Sequence, residues 1–146
     1  MRIRETVALA SVFGLLVGTS GASAQAVSNS GPIDEQGFVT IGGIEQWVTI
    51  HGNDRSNPVI LVLHGGPGVS NAPFAPAYIP WQTGFTVVEW DQRGAGRTFG
   101  RNGADGSGPL TLDRLRRDGL ELSEHLRAEL HKDKIVLFGE IGRAHV

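Results

Sequence analysis

Alternating and continuous apolar runs along the chain predict a sheet that begins with a hairpin. Apolar and polar positions alternate within residues 38–41 and 44–50, and Gly42-Gly43 lies between the two runs. Two adjacent glycines tolerate the positive φ angles of a two-residue turn, so the pattern predicts two strands joined there. Residues 59–63 are apolar without interruption, which is typical of a strand buried on both faces.

Two further apolar runs and one amphipathic pattern complete the predicted architecture. Residues 84–94 contain a second continuous strand centred on Val87 and Val88, and residues 134–138 form a third. Between them, leucines at positions 112, 115, 122, 126 and 130 recur at helical spacing after Thr111, a suitable N-cap. The order predicts an α/β fold, with an N-terminal antiparallel hairpin leading into a mostly parallel sheet with flanking helices.

Two segments outside these elements are predicted to be irregular. Residues 25–35 are small and polar, and we expect them to form a flexible lead-in to a single domain at 36–140. Residues 97–109 are rich in glycine but lack the Gly-Lys-Ser/Thr sequence of a phosphate-binding loop. We therefore expect 97–109 to be a flexible loop without a helix.

The first residues have the features of a secretory signal peptide. Arg2 and Arg4 precede an uncharged apolar stretch, which is too short to span a bilayer comfortably because about 20 residues are needed. Residues 22–24 read Ala-Ser-Ala, the small residues that signal peptidase requires, so residues 1–24 are predicted to be removed by cleavage after Ala24, with Ala26 as the alternative site. The mature protein is expected to be exported, periplasmic or secreted, without a stable membrane anchor.

Composition narrows the classes of partner. The 146 residues include 13 basic and 15 acidic side chains, with a formal net charge of −2, which provides no electrostatic footprint for nucleic acid. Basic residues at 114–117 precede Asp118 and other acidic residues on the same predicted helix, so we expect a solvated face with an Arg117–Glu121 pair. The sequence contains no cysteine, which excludes disulfides and thiolate metal sites.

Two loops follow the carboxyl ends of predicted buried strands, where open α/β sheets place their ligand sites. The first, 64–68, reads HGGPG; its glycines allow N–H groups to point outward and stabilise an oxyanion, with a tight structural turn as the alternative. The second, 91–98, reads DQRGAGRT. Asp91 is a candidate base and Arg93 a candidate anion site, but we favour a scaffolding role in which they pair or cap the turn.

The two loops together resemble a motif pair of the α/β-hydrolase superfamily, and more narrowly of the proline iminopeptidase-like serine peptidases. Members carry HGGPG and then DQRGxGRS at the spacing that separates His64 from Asp91 here, and Thr98 replaces the final serine. The resemblance covers residues 36–140. It implies the N-terminal half of an α/β-hydrolase domain, so the fold would be truncated in this chain.

The resemblance also implies roles for the loop residues. Gly66 would supply an oxyanion-hole N–H, and Pro67 would follow a cis peptide bond, a conformation largely reserved for proline. His64, Gly65, Pro67 and Gly68 would line the substrate site. The shape of the site would be supported by four residues of the second loop: Asp91, Arg93, Gly94 and Gly96. No metal and no organic cofactor is implied.

The end of the chain departs from the resembled pattern. In that fold a strand such as 134–138 leads into a Gly-x-Ser-x-Gly elbow carrying the nucleophile, and the triad Asp and His come later. Gly139 matches the first glycine, but Ile141 and Arg143 occupy the serine and second glycine positions. The letters EIGRAHV resemble the translation of a widely used sequencing adapter. We therefore expect 141–146 to be a non-native tail, and the natural residue at position 140 is open.

The sequence thus predicts a fragment of an exported serine hydrolase, an aminopeptidase of the proline iminopeptidase type. The complete parent would act on a small peptide or other small acyl substrate through a Ser-His-Asp triad, whereas the fragment would be inactive because it lacks all three groups. Alternatives are an esterase, amidase or epoxide-hydrolase relative, or a non-catalytic binding protein on a decayed scaffold. The oligomeric state stays open.

Overall fold

The computed structural model describes residues 30–66 and 68–140, which form a mixed five-stranded sheet with helical segments on both faces. The strands lie in the order β1-β2-β4-β3-β5. They are β1 (Ile33–Ile41), β2 (Ile44–Gly52), β3 (Val59–Leu63), β4 (Thr86–Asp91) and β5 (Ile135–Gly139). The helical elements are a 3₁₀ segment (Ala72–Thr83), α1 (Gly96–Gly106) and α2 (Leu112–Glu129).

The N-terminal hairpin is confirmed. β1 and β2 pair antiparallel, and the turn residues Gly42 and Gly43 have φ angles of 59° and 79°, as a two-residue turn requires. Along β2 the buried positions are Gln46, Val48 and Ile50, which is the predicted alternation. This face of the hairpin packs on the core beneath α2.

The predicted lead-in ends too late, because β1 begins at Ile33 and residues 33–35 are part of the sheet. Ile33 is buried in the core cluster. The two acidic residues that follow it interrupt the apolar pattern, so the pattern does not predict a strand there. The Asp34 carboxylate lies 2.9 Å from Nδ1 of His51 on β2, and Glu35 forms an ion pair with Arg55. Cross-strand partners therefore extend a strand through a polar sequence.

The change from antiparallel to parallel pairing is also confirmed. β4 pairs antiparallel with β2, whereas β3 pairs parallel with both β4 and β5. β3 is the central strand of the parallel half, and its residues Val59 and Leu61 are fully buried. Parallel strands end at the same edge of a sheet, so the loops that follow β3, β4 and β5 leave from one edge.

The long amphipathic helix is present as α2. Thr111 is its N-cap, and the Thr111 hydroxyl accepts a hydrogen bond from the Arg114 N–H at 3.2 Å. Leu122 and Leu126 are buried against the sheet, whereas Leu112 is 87% exposed and contributes nothing to the core.

The basic cluster at the start of α2 is only partly a solvated face. Arg117 pairs with Asp113, so the predicted Arg117–Glu121 pair is wrong. Asp118 is fully buried, contrary to the prediction, because it pairs with Arg93 from the second loop.

The prediction of a flexible loop at 97–109 is wrong, because α1 occupies most of this segment. A kink at Gly103, with φ 69°, interrupts the helix near its end. The buried Thr98 hydroxyl donates to the Asp91 carbonyl at 2.5 Å and accepts from the Trp47 N–H at 2.8 Å. These tertiary contacts with β2 and β4 overcome the poor helix propensity of the glycines.

The crossover from β3 to β4 runs through the 3₁₀ segment on the sheet face opposite α2. Pro76 and Pro80 lie inside it and cannot donate helical hydrogen bonds, which disfavours a regular α-helix. Tyr78 is its buried side chain and packs in a second apolar cluster with Ile60, Val62 and Val87.

β5 is an edge strand in the described chain. It pairs with β3 on one side only, and Val136, Leu137 and Phe138 are 46%, 58% and 37% exposed. Apolar side chains are therefore open to solvent on both faces of this strand.

Several predictions concern residues outside the described ranges: the signal peptide 1–24, the start of the lead-in, Pro67 with its peptide bond, and the tail 141–146. Within the part of the chain that is described, no helix is long and apolar enough to cross a membrane.

Candidate active site

The two candidate loops lie side by side because β3 and β4 are parallel neighbours that end together. Leu63 at the end of β3 is in register with Trp90 near the end of β4. A Cβ placed on Gly68 would lie 3.8 Å from the Gly94 carbonyl oxygen, which shows how closely the two backbones approach. The structure thus brings the HGGPG and DQRGAGRT segments to one sheet edge, as the sequence predicts.

The first loop has the backbone conformation that its glycines permit. Gly66 and Gly68 have φ angles of 71° and 87°, in the left-handed region that residues with a Cβ rarely adopt. A Cβ on Gly66 would meet nothing within 4 Å, so conformation rather than space accounts for glycine there. Gly65 is half-buried between His64 and Gly66.

His64 is fixed by Gln92 from the second loop. Its Nε2 accepts the Gln92 backbone N–H at 3.1 Å, and its carbonyl accepts the Gln92 side-chain amide at 2.9 Å. The residue is 6% exposed, and its Nδ1 has no hydrogen-bond partner among the described residues. Burial lowers the pKa of His64, against the opposing effects of the Gly65 backbone and of the Asp91 charge.

Asp91 is buried and accepts hydrogen bonds from its own loop and from Ser70, two residues after the first loop. Its carboxylate accepts from the Ser70 hydroxyl and from the Arg97 backbone N–H, the latter at 2.8 Å. A Cβ on Gly96, which has φ 45°, would lie 2.3 Å from this carboxylate. Asp91 therefore caps the turn before α1, and Gly96 leaves the space that this requires.

Arg93 does not pair with Asp91; it is directed to the opposite side of its loop. The Arg93 Nε donates to the Asp118 carboxylate at 2.7 Å, and the other guanidinium nitrogens donate to the Ser107 carbonyl at 2.6 Å and the Gly42 carbonyl at 2.8 Å. These contacts tie the second loop to the hairpin turn, to the segment after α1 and to α2. Arg93 is thus a buried structural cation.

The end of β5 meets the first loop at the same sheet edge. Gly139 is in register with Leu63, and the Glu140 N–H donates to the Leu63 carbonyl at 2.9 Å. The Tyr78 hydroxyl donates to the Glu140 carboxylate and accepts from the Asn71 amide, and burial raises the pKa of Tyr78.

A cleft of about 490 Å³ lies beside the first loop, between α2 and the sheet. His64, Gly66 and Gly68 form one end of it, and Glu140 also borders it. The remaining wall is mainly apolar: Leu61, Leu63, Trp90, Leu115, Leu120 and Leu137. Among the described residues no group of three or more histidine, aspartate or glutamate side chains could hold a metal ion.

Three residues of this arrangement were not singled out from the sequence: Ser70, Gln92 and Asp118. Gln92 lies inside the DQRGAGRT segment, but nothing in the sequence predicts that its side chain contacts His64. Ser70 and Asp118 act through partners that are distant along the chain, Asp91 and Arg93. Only the fold makes these pairs visible.

Comparison with known proteins agrees with the fold and with the loops. The chain is 34% identical over 102 residues to a probable aminopeptidase YbaC of Bacillus subtilis, covering 69% of this chain and 31% of that protein. It is also 34% identical over 106 residues to a proline iminopeptidase of Saccharolobus solfataricus, covering 72% and 32%. No family model matches the chain.

Solved structures extend the comparison. A proline iminopeptidase-related protein of Thermus thermophilus superposes with a TM-score of 0.61 at 31% identity, over 74% of this chain and 36% of that one. Epoxide hydrolase VrEH1 of Vigna radiata superposes with a TM-score of 0.52 at 22% identity, over 74% and 32%, which is a likeness of fold alone.

The chain belongs to the α/β-hydrolase superfamily. It spans about a third of the length of the curated relatives it matches. Within the superfamily its similarity is to the proline iminopeptidase-like members, as the paired loop motifs predict.

Proposed function

We propose that this chain is part of an exported serine hydrolase, an aminopeptidase of the proline iminopeptidase type with a nucleophilic serine at position 141 of the parent protein. The observation that supports the proposal is the meeting of β3 and β5 at one sheet edge. Gly139 pairs with Leu63, and the Glu140 N–H is bonded to the Leu63 carbonyl. Glu140, the last described residue, therefore lies beside the loop that begins at His64.

In the proposed reaction the serine hydroxyl attacks the acyl carbon of a small peptide or other small acyl substrate. Its proton passes to a histidine that an aspartate orients, and both belong to the parent sequence after this segment. The Gly66 N–H donates to the oxyanion that develops on the carbonyl oxygen. One such donor lowers the barrier by roughly 3 kcal/mol in measured cases. The reaction needs no metal and no organic cofactor.

The gene itself provides the first test. Genomic DNA read across codon 140, with a library chemistry that uses a different adapter, should encode serine at position 141 and glycine at position 143. A helix should follow, and an aspartate and a histidine should come later. If IGRAHV persists and a stop codon follows, the non-catalytic binding scaffold replaces the enzyme proposal.

A covalent probe provides the second test. The full-length protein should be labelled stoichiometrically by a fluorophosphonate, and a serine-to-alanine change at position 141 should abolish labelling. The control change Ser56→Ala, at an exposed site, should leave labelling intact. The 146-residue chain should stay unlabelled, and stoichiometric labelling of any of its serines would contradict the placement of the nucleophile.

Substrate panels separate the aminopeptidase from the alternatives. Release of p-nitroaniline from proline p-nitroanilide, with slow turnover of a p-nitrophenyl ester, supports the aminopeptidase. The same fold carries several chemistries, so the alternatives are tested with their own substrates. Turnover of an epoxide or ester without amidase activity would therefore favour an epoxide hydrolase or esterase.

Export is a separate part of the proposal and rests on the N-terminal sequence. Protein expressed in a bacterium should begin at Gln25, or at Val27 if the alternative site is used. Intact Met1 on soluble cytoplasmic protein would contradict export.

A further inference from the structure

The segment 64–70, which is the first loop with the two residues after it, is fastened at both ends by two consecutive residues of the second loop. At its beginning, Gln92 holds His64 through two hydrogen bonds of 3.1 Å and 2.9 Å. At its end, the Asp91 carboxylate accepts from the Ser70 hydroxyl, and the same hydroxyl accepts the Ala72 N–H at 3.1 Å. The glycines of the loop lie between these two attachments.

Gln92 binds both the side chain and the main chain of His64, and the first of these contacts fixes the tautomer of the neutral imidazole. The Gln92 backbone N–H donates to Nε2, so Nε2 is unprotonated and the ring proton of the neutral form is on Nδ1. The Gln92 side chain holds the main chain of the same residue through its carbonyl. Rotation of the ring and displacement of the strand end are therefore both opposed by one partner residue.

The side chain of Gln92 has no other hydrogen-bond partner among the described residues, so its placement serves this contact alone. The neighbouring residue Arg93 stabilises the second loop, because its side chain binds α2 and the hairpin turn. The two tasks are divided between adjacent residues. Gln92 can thus be altered without removing the buried ion pair.

We propose that Gln92 is a positioning residue that, together with Asp91, clamps the loop 64–70 and thereby fixes where the Gly66 N–H points. The inference rests on the proposed hydrolase function, because only a reaction that develops an oxyanion depends on the aim of this donor. Loss of the clamp should lower kcat and leave substrate binding nearly unchanged, since the donor acts on charge that forms in the transition state.

Gln92→Met in the full-length protein tests this, because methionine keeps the length of the side chain and removes its donor. The matched control is Gln36→Met, the same change at an exposed position on β1. Two quantities are measured: amide hydrogen exchange of residues 64–70 by mass spectrometry, and steady-state kinetics. We expect exchange in the loop to accelerate about five- to tenfold. We expect kcat to fall about tenfold or more, with KM within about threefold of its original value.

The outcomes separate this inference from the function on which it rests. Faster loop exchange in Gln92→Met, together with a wild-type protein that has no hydrolase activity, would confirm the clamp and refute the proposed reaction. An active enzyme in which exchange or kcat matches the Gln36→Met control would overturn the positioning role. If Gln92→Met does not fold, Ser70→Ala releases the other end of the loop and should lower kcat in the same direction; an unchanged kcat in that variant overturns the clamp.

Discussion

Replacing Asp118 with asparagine should destabilise the protein strongly, although the two side chains have nearly the same shape. The Asp118 and Arg93 side chains are 0% and 2% exposed, and the carboxylate also accepts from Arg114 at 2.7 Å and Gln46 at 3.1 Å. Without the carboxylate charge, the buried Arg93 guanidinium is left with neutral acceptors only, the amide oxygen at position 118 and the carbonyls of Ser107 and Gly42. Removing one member of such a buried pair costs about 3–5 kcal/mol, which is the loss we expect in the free energy of unfolding.

The reverse change, Arg93→Met, should cost less. Asp118 then still has Arg114, which is partly exposed, and Gln46, so its charge stays compensated. The loss is that of two donors to the carbonyls of Ser107 and Gly42, roughly 1 kcal/mol each, together with the bond to Asp118. A total of about 3 kcal/mol follows, at the lower end of the range expected for Asp118→Asn, and the double variant should cost at least about 1 kcal/mol less than the sum of the single changes.

Urea unfolding of the full-length protein, followed by tryptophan fluorescence, measures these differences. Trp90 is a suitable reporter because it is buried and its Nε1 donates to the Gln46 amide oxygen at 2.9 Å, within the same network. The control is Asp113→Asn, which removes an exposed carboxylate from the same helix and should change little. A cost for Asp118→Asn no larger than for this control, or additive single changes, would refute the reasoning.

Three further predictions concern the site, α1 and the edge strand. Because burial lowers the pKa of His64 below its usual value near 6.5, the unfolded state binds more protons below that pH. The free energy of unfolding should therefore fall as pH drops through about 6.5 toward about 5, less steeply in His64→Gln; equal slopes in urea titrations would contradict this. Gly96→Ala, whose Cβ would lie 2.3 Å from the Asp91 carboxylate, should lower the melting temperature of the full-length protein, whereas Gly100→Ala within α1 should stabilise it by about 0.5–1 kcal/mol. The 146-residue chain should self-associate through β5 and do so less as Leu137→Lys; a monomer that melts sharply in calorimetry would count against an exposed apolar edge.

Local signals in the sequence were sufficient for much of the fold. The two-residue turn depends on the permissive backbones of Gly42 and Gly43, and the start of α2 depends on one hydroxyl, that of Thr111. Continuous apolar runs identified β3, β4 and β5, although β5 is an exposed edge strand in the described chain. The paired loops could likewise be found, because glycine-rich turns after parallel strands are encoded within a few residues.

What escaped prediction depends on partners far along the chain. α1 forms in a glycine-rich segment because Thr98 is bonded to Asp91 and to the Trp47 backbone. The helical pattern predicts Asp118 on a solvated face, but in the fold it is buried and pairs with Arg93, which is distant along the chain. Such pairings follow from tertiary geometry, which neither periodicity nor propensity contains.

The strand order has a consequence for how the sheet is assembled during synthesis. β2 and β3 follow each other in the chain, but β4 lies between them and pairs with both. The β1–β2 hairpin is local and can close within microseconds, whereas β3 must stay free until β4 has been made and can insert beside it. The apolar strand β3 therefore stays unpaired until β4 has been synthesised. During that interval residues 59–63 are exposed to a chaperone that binds nascent chains.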